Sequence, residues 1–178
     1  MRYLPFFLVF FILSCSSQKN QQQTIPAAQL FNFEQKLNLP GAPETIFDAA
    51  TGDISGWWDH TFSKQPVKLF IEPKPGGGFY EIFDESGDGA LHATVTAAQR
   101  GKLLRFEGAM GLAGKAVTIV HTYEFTPVGQ DSTQLHLTVN GCGDFANGLP
   151  EIIEQVWHHF LFEQFKPWVE SGKHLMEK

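Results

Sequence analysis

Cysteine is nearly missing from this chain. Its 178 residues hold two, Cys15 and Cys142, too few for a disulfide-stapled scaffold or a cysteine-rich zinc module. Basic residues are also scarce: 13 Lys and Arg stand against 19 Asp and Glu, a formal charge of -6. A polyanion binder carries the opposite balance, so nucleic acid is not an expected partner. No apolar run reaches the roughly 18–20 residues that a membrane-spanning helix needs. Internal repeats are lacking, and the length fits one domain, or one plus a tail. What the chain has in quantity is apolar and aromatic matter. Hydrophobic residues at 43% against 18% charged exclude a disordered chain. The 17 Phe and 4 Trp are enough to line a core or a cavity with rings.

The first residues read as an address. Arg2 precedes an apolar run over residues 4–13, which stops at Ser14-Cys15. A short basic region, an apolar region of about ten residues and a small residue before a break are the parts of a secretory signal. Ile12-Leu13-Ser14-Cys15 resembles a bacterial lipobox, in which the Cys is acylated and becomes the new N-terminus. Residues 1–14 are therefore expected to be a lipoprotein signal peptide, with Cys15 lipidated. Residues 15–29, rich in Gln, form a polar tether with little to bury. The folded domain is then held at the cell envelope by N-terminal acyl chains, on the outer membrane facing the periplasm in a Gram-negative host. Cys142 is left without a partner and is expected to be a free, buried, inert thiol.

From residue 30 the pattern becomes periodic. Phe31, Phe33, Leu37 and Leu39 alternate with polar residues, as on a strand buried on one face. Pro40-Gly41 breaks it, and Pro43 opens a helix with Ile46, Phe47 and Ala49 on its apolar side. A second short helix is expected over residues 54–58. Six strand-like segments follow between residues 67 and 139, joined by Gly-rich or Pro-containing turns, and read as an antiparallel meander. After residue 143 the period changes. Pro150 stands at a helix start, and Ile153, Val156, Trp157, Phe160, Leu161, Phe165 and Trp168 follow i, i+3, i+4 spacing, with Pro167 expected to kink the helix. The expected fold class is α+β: a curved seven-stranded antiparallel sheet around a long C-terminal helix, with two short helices after the first strand. It occupies residues 30–172, leaving 173–178 as a tail.

Four segments resemble the helix-grip fold of the START/Bet v 1-like (SRPBCC) superfamily, in the branch related to the activator of Hsp90 ATPase and the polyketide cyclase-like proteins. They are Leu39-Pro40-Gly41-Ala42-Pro43-Glu44-Thr45-Ile46-Phe47-Asp48-Ala49, Trp57-Trp58, Gly76-Gly77-Gly78-Phe79, and residues 161–170. The resemblance spans about residues 31–171. Curling a seven-stranded sheet around a helix leaves a space between them, and no cofactor is expected. The superfamily includes carriers, cyclases and partner-binding domains, so the resemblance leaves the reaction open. The export signal is a departure from this branch, and the loop 143–148 matches no known activity.

Strand alternation sorts the candidate site residues. His121 and Tyr123 share a face with Val117, Ile119 and Phe125, so they point inward. His92 and His136 fall opposite their apolar neighbours and are expected on the solvent side. Trp57, Trp58, Phe79, Phe83, Phe106, Trp157 and Phe160 are candidates to line the same space as His121 and Tyr123. None of the seven His forms an i, i+4 pair, and the adjacent His158 and His159 point about 100° apart, so no metal site is expected. Gly76-Gly77-Gly78 reads as a tight turn, since no helix and no Lys-Ser/Thr follow it. Asp84, Glu85 and Asp88 read as a solvated hairpin tip. Three functions fit: a lipid-anchored domain binding a small hydrophobic molecule, a cyclase- or dehydratase-type enzyme using His121 or Tyr123, and a protein-binding domain resembling the Hsp90 ATPase activator. The export signal weighs against the third, because Hsp90 and ATP are cytoplasmic. The lack of an orienting carboxylate or nucleophile weighs against the second.

Overall fold

The computed structural model describes residues 27–176. Strand β1 (Gln29–Pro40) leads into helix α1 (Pro43–Ala49). The sheet continues as β2 (Gly52–Asp53), β3 (Lys68–Ile71), β4 (Gly78–Ile82), β5 (Gly89–Gln99), β6 (Leu103–Gly108), β7 (Val117–Val128) and β8 (Ser132–Gly143). These eight strands form one antiparallel sheet in the order β1-β8-β7-β6-β5-β4-β3-β2. The first strand closes against the last over a long register, from Gln29 opposite Gly143 to Pro40 opposite Ser132. The meander and its turns match the sequence reading. The eighth strand is the two-residue β2, paired with Ile71 and Phe70.

One expected helix is absent. Residues 54–58 close a single turn, in which the Trp58 amide donates to the Ile54 carbonyl at 2.9 Å. Its backbone is tied on the other side to β3, where the Ile54 amide donates to Leu69. Asp53 caps the turn by accepting from the Ser55 amide at 2.9 Å. A segment already committed to a sheet edge has no room to propagate a helix.

The long C-terminal helix runs over residues 149–170, in three parts. Helix α2 (Leu149–His158) passes into a π segment (His159–Phe165) and then α3 (Lys166–Glu170). The irregularity expected at Pro167 is thus spread over the preceding turns. Proline cannot donate to the carbonyl four residues back, and its ring crowds that carbonyl; wider π turns before it are one way to absorb the conflict. Trp157, Phe160, Leu161, Phe165, Trp168 and Val169 from this helix are buried with the concave face of the sheet. The fold also runs past residue 172. Lys173–Leu175 make a 3-10 turn whose His174 is buried, 5.7 Å from the Trp168 ring, so the tail begins later than expected.

Candidate functional site

A cavity of about 590 Å³ lies between the sheet and the first half of the C-terminal helix. Its floor is Ile119 and His121 from β7. Its roof is Ile153, Val156, Trp157 and Phe160 from the helix, and Met110 and Leu112 close one side from the β6–β7 connection. The other side is the loop over residues 58–64, ending at the exposed side chains of Asp59, His60 and Phe62. Met110 holds φ 51, a conformation a bulky residue rarely adopts and one that costs about 1–3 kcal/mol. That strain sits on the wall of the cavity.

His121 is the polar group on the floor. It is fully buried, sandwiched between Phe106 at 4.9 Å and Trp157 at 4.7 Å, and neither ring nitrogen has a hydrogen-bond partner among the described residues. Burial pushes its pKa down to about 3, so the ring is neutral at ordinary pH. A neutral imidazole offers one donor and one acceptor, and here both are unspent in an apolar setting. Tyr123 lies one inward position along β7. Burial raises its phenol well above the usual range, and the ring packs edge-on against Phe106 at 5.8 Å and Trp157 at 6.1 Å.

The structure brings Trp58, His121, Trp157 and Phe160 together on the cavity surface. Trp58 stacks on Phe160 with centroids 3.9 Å apart. Trp57, Phe79, Phe106 and Tyr123 stand behind these as a second layer: Trp57 against Phe165 at 4.8 Å, Phe79 against Trp58 at 4.9 Å. Phe83 lies beyond the end of β4, half-buried and outside the cavity lining.

His92 corrects the sequence reading. It is buried, not solvent-facing, and it lines the cavity. The cause is a bulge: Phe79 pairs with Ala93 and Tyr80 with Leu91, so His92 has no residue opposite it on β4. An extra residue resets the alternation, and Leu91 in turn is exposed. His92 Nε2 donates to Glu81 Oε2 at 2.9 Å, and Glu81 is completely buried. The Glu81 carboxylate also accepts from the backbone amides of Phe62 at 2.9 Å and Ser63 at 2.7 Å. Glu81 thereby clamps the 58–64 loop to the sheet. It was missed from the sequence, although its place two residues after Phe79 on one strand marks it as inward-facing. His136 does lie on the outer face, where it meets Glu34 at 2.7 Å and Glu124 at 3.3 Å.

At the cavity mouth Asp59 touches both His60 and His159, each at 2.7 Å, and Glu163 lies 2.9 Å from the other nitrogen of His159. The two carboxylates raise the pKa of His159, and the histidines lower that of Asp59 against a burial effect of opposite sign. The sequence showed no such grouping, because its members lie 100 residues apart.

Cys142 needs a second correction. It is free but exposed, because Leu137, Val139 and Gly141 take the inner positions of β8 and leave Cys142 on the outer face. The 143–148 loop contributes one buried ring, Phe145, which meets Phe31 edge-on at 5.0 Å. The expected signal peptide, the expected lipidation at Cys15 and most of the expected tether lie outside the described residues.

No protein-family model matches the sequence, and no curated protein matches it significantly. Solved structures do. A protein of unknown function from Staphylococcus aureus, SA2116, is 14% identical with a TM-score of 0.60, over 82% of this chain and 97% of that one. An uncharacterized protein from Rhizobium leguminosarum is also 14% identical, with a TM-score of 0.58, over 83% of this chain and 99% of that one. Ara h 8.0201 is 14% identical with a TM-score of 0.57, over 80% of this chain and 99% of its own. At such identities the likeness reaches the architecture and not a branch or an activity. By its sheet, its order of elements and these neighbours, the chain has a Bet v 1-like helix-grip fold.

Proposed function

We propose that this is a lipid-anchored domain of the cell envelope that binds a small hydrophobic molecule between its sheet and C-terminal helix. One observation carries the reading: His121, fully buried and with no partner for either nitrogen among the described residues, is among the residues lining a largely apolar cavity of about 590 Å³. A buried polar group left unsatisfied costs about 1–3 kcal/mol. A ligand that brings a hydroxyl, carbonyl or carboxylic acid group to His121 removes that cost, while its apolar body meets Trp58, Ile119, Val156 and Phe160. This is the usual make-up of a small-molecule site, mostly apolar with few polar anchors. The apolar leader ending at Cys15 supports the envelope address and the acyl anchor. An acid–base role for His121 gains no support, since nothing bonds its ring to orient it.

The test is a titration of an apolar fluorescent dye against the full-length protein, native and heat-unfolded, with native mass spectrometry of protein from its own host. The expected result is saturable binding of one dye molecule to the native form, and a co-purified molecule that the dye displaces. Dye binding that does not saturate, or that is equal for the unfolded chain, would sink the proposal.

A further inference from the structure

Asp59, His60 and His159 gather three metal-ligating side chains at the cavity mouth, from a loop and from the C-terminal helix. One ligand atom from each lies within 4.8 Å of the others. The donors of a tetrahedral zinc ion, each about 2.0–2.2 Å from it, stand about 3.3 Å from one another. Inserting an ion therefore asks for side-chain shifts of about 1 Å at an accessible rim, where rotamers are free to adjust.

Three features go beyond proximity. His159 Nδ1 lies 2.9 Å from Glu163 Oε2, which sets the ring so that Nε2, the nitrogen facing Asp59, is the one available to a metal. A carboxylate behind a ligating histidine is the common support of metal sites. The charge also fits: Asp59 and Glu163 bring two negative charges to two imidazoles, which one divalent cation balances. Finally, His159 opens the π segment, and such segments are frequent at functional sites because they reset which residues share a helix face.

We propose that Asp59, His60 and His159 form a divalent-metal site, suited to zinc, with Glu163 as the positioning residue behind His159. Three protein ligands leave a fourth position for water or for an oxygen atom of a molecule in the cavity, which Asp59 and His60 also line. The site stands on its own residues, whether or not the cavity takes a ligand.

Isothermal titration of Zn²⁺ into the full-length protein, stripped beforehand with a chelator, tests it. One equivalent is expected to bind with micromolar or tighter affinity and to raise the melting temperature. Asp59→Asn and His159→Ala should each lose at least tenfold in affinity, and Glu163→Gln about 10–100-fold. His136→Ala, at the outer-face cluster with Glu34 and Glu124, should bind as the parent does. Co²⁺ in place of zinc should give a ligand-field spectrum without a thiolate charge-transfer band. Absence of saturable Zn²⁺ binding, unchanged affinity in Asp59→Asn and His159→Ala, or a cobalt–thiolate band placing the ion on a cysteine would each overturn the proposal.

Discussion

Glu81→Ala removes the carboxylate shared by three donors at the edge of the cavity: the His92 ring and the amides of Phe62 and Ser63. Each hydrogen bond to a charged acceptor is worth about 1.5–3 kcal/mol net. The two amides belong to a partly exposed loop and regain water once released, whereas His92 stays buried with its donor unpaired. Leaving a buried donor unpaired costs about 1–3 kcal/mol, in addition to the bonds lost. A loss of about 3 kcal/mol is therefore expected, a large part of the roughly 5–15 kcal/mol that a domain has. Glu81→Gln keeps one acceptor oxygen but turns an amide NH₂ toward other donors, so it should lie between the parent and Glu81→Ala. Urea melts give the stability, and hydrogen exchange at the Phe62 and Ser63 amides reports on the loop. Both amides should exchange faster in Glu81→Ala than the change in global stability explains. The reasoning fails if the loss is under about 1 kcal/mol and the two amides keep their protection.

The remaining predictions are shorter. His121→Phe should stabilise the ligand-free domain by about 1–3 kcal/mol, since it removes two unsatisfied buried nitrogens; a destabilised variant in urea melts contradicts this. Because the His121 pKa is lowered in the fold to about 3, the unfolded chain binds the extra proton below its own value near 6.5. Stability should thus fall with acid between about pH 6.5 and pH 3, by up to about 1.4 kcal/mol per pH unit, and this component should vanish in His121→Phe. Phe160→Ala should cost about 3 kcal/mol, the low end for a buried ring, because one side of Phe160 already borders the cavity; a urea melt showing less than about 1 kcal/mol would place the Trp58–Phe160 stack outside the stabilising core. Cys15→Ser should abolish acyl labelling and membrane association, and a variant that still fractionates with membranes, alongside an unlabelled parent, would refute the address.

Much of the site was legible where local rules apply without interruption. On β7 the two-residue period placed His121 and Tyr123 inward, and both are buried. The 3.6-residue period of the last helix found Trp157 and Phe160, and Trp58 lies against both. The rule was equally able to place Cys142 outside, since Leu135, Leu137, Val139 and Gly141 take the inner positions of its strand. Applied through residue 92, however, it failed, because the bulge between β4 and β5 shifts the count by one. A single inserted residue changes the face of everything on one side of it, and nothing local in Leu91-His92-Ala93 marks where it falls.

The sequence by itself determined the order of the longer strands and of the first and last helices, the inward residues of the regular strands, the apolar face of the final helix and the composition of a ring-lined interior. These follow from period, turn residues and hydrophobic burial, all of which act over a few neighbouring positions. Only the tertiary structure decided that residues 54–58 close one turn instead of a helix, since β3 holds their backbone. It alone joined Glu81 to His92 and the loop above them, and Asp59 and His60 to His159 across 100 residues. It also decided that His121 lines a cavity while its two buried nitrogens keep no partner among the described residues, which depends on how far the helix stands off the sheet. Such distances are set by the summed packing of many side chains, and no short stretch of the chain encodes that sum.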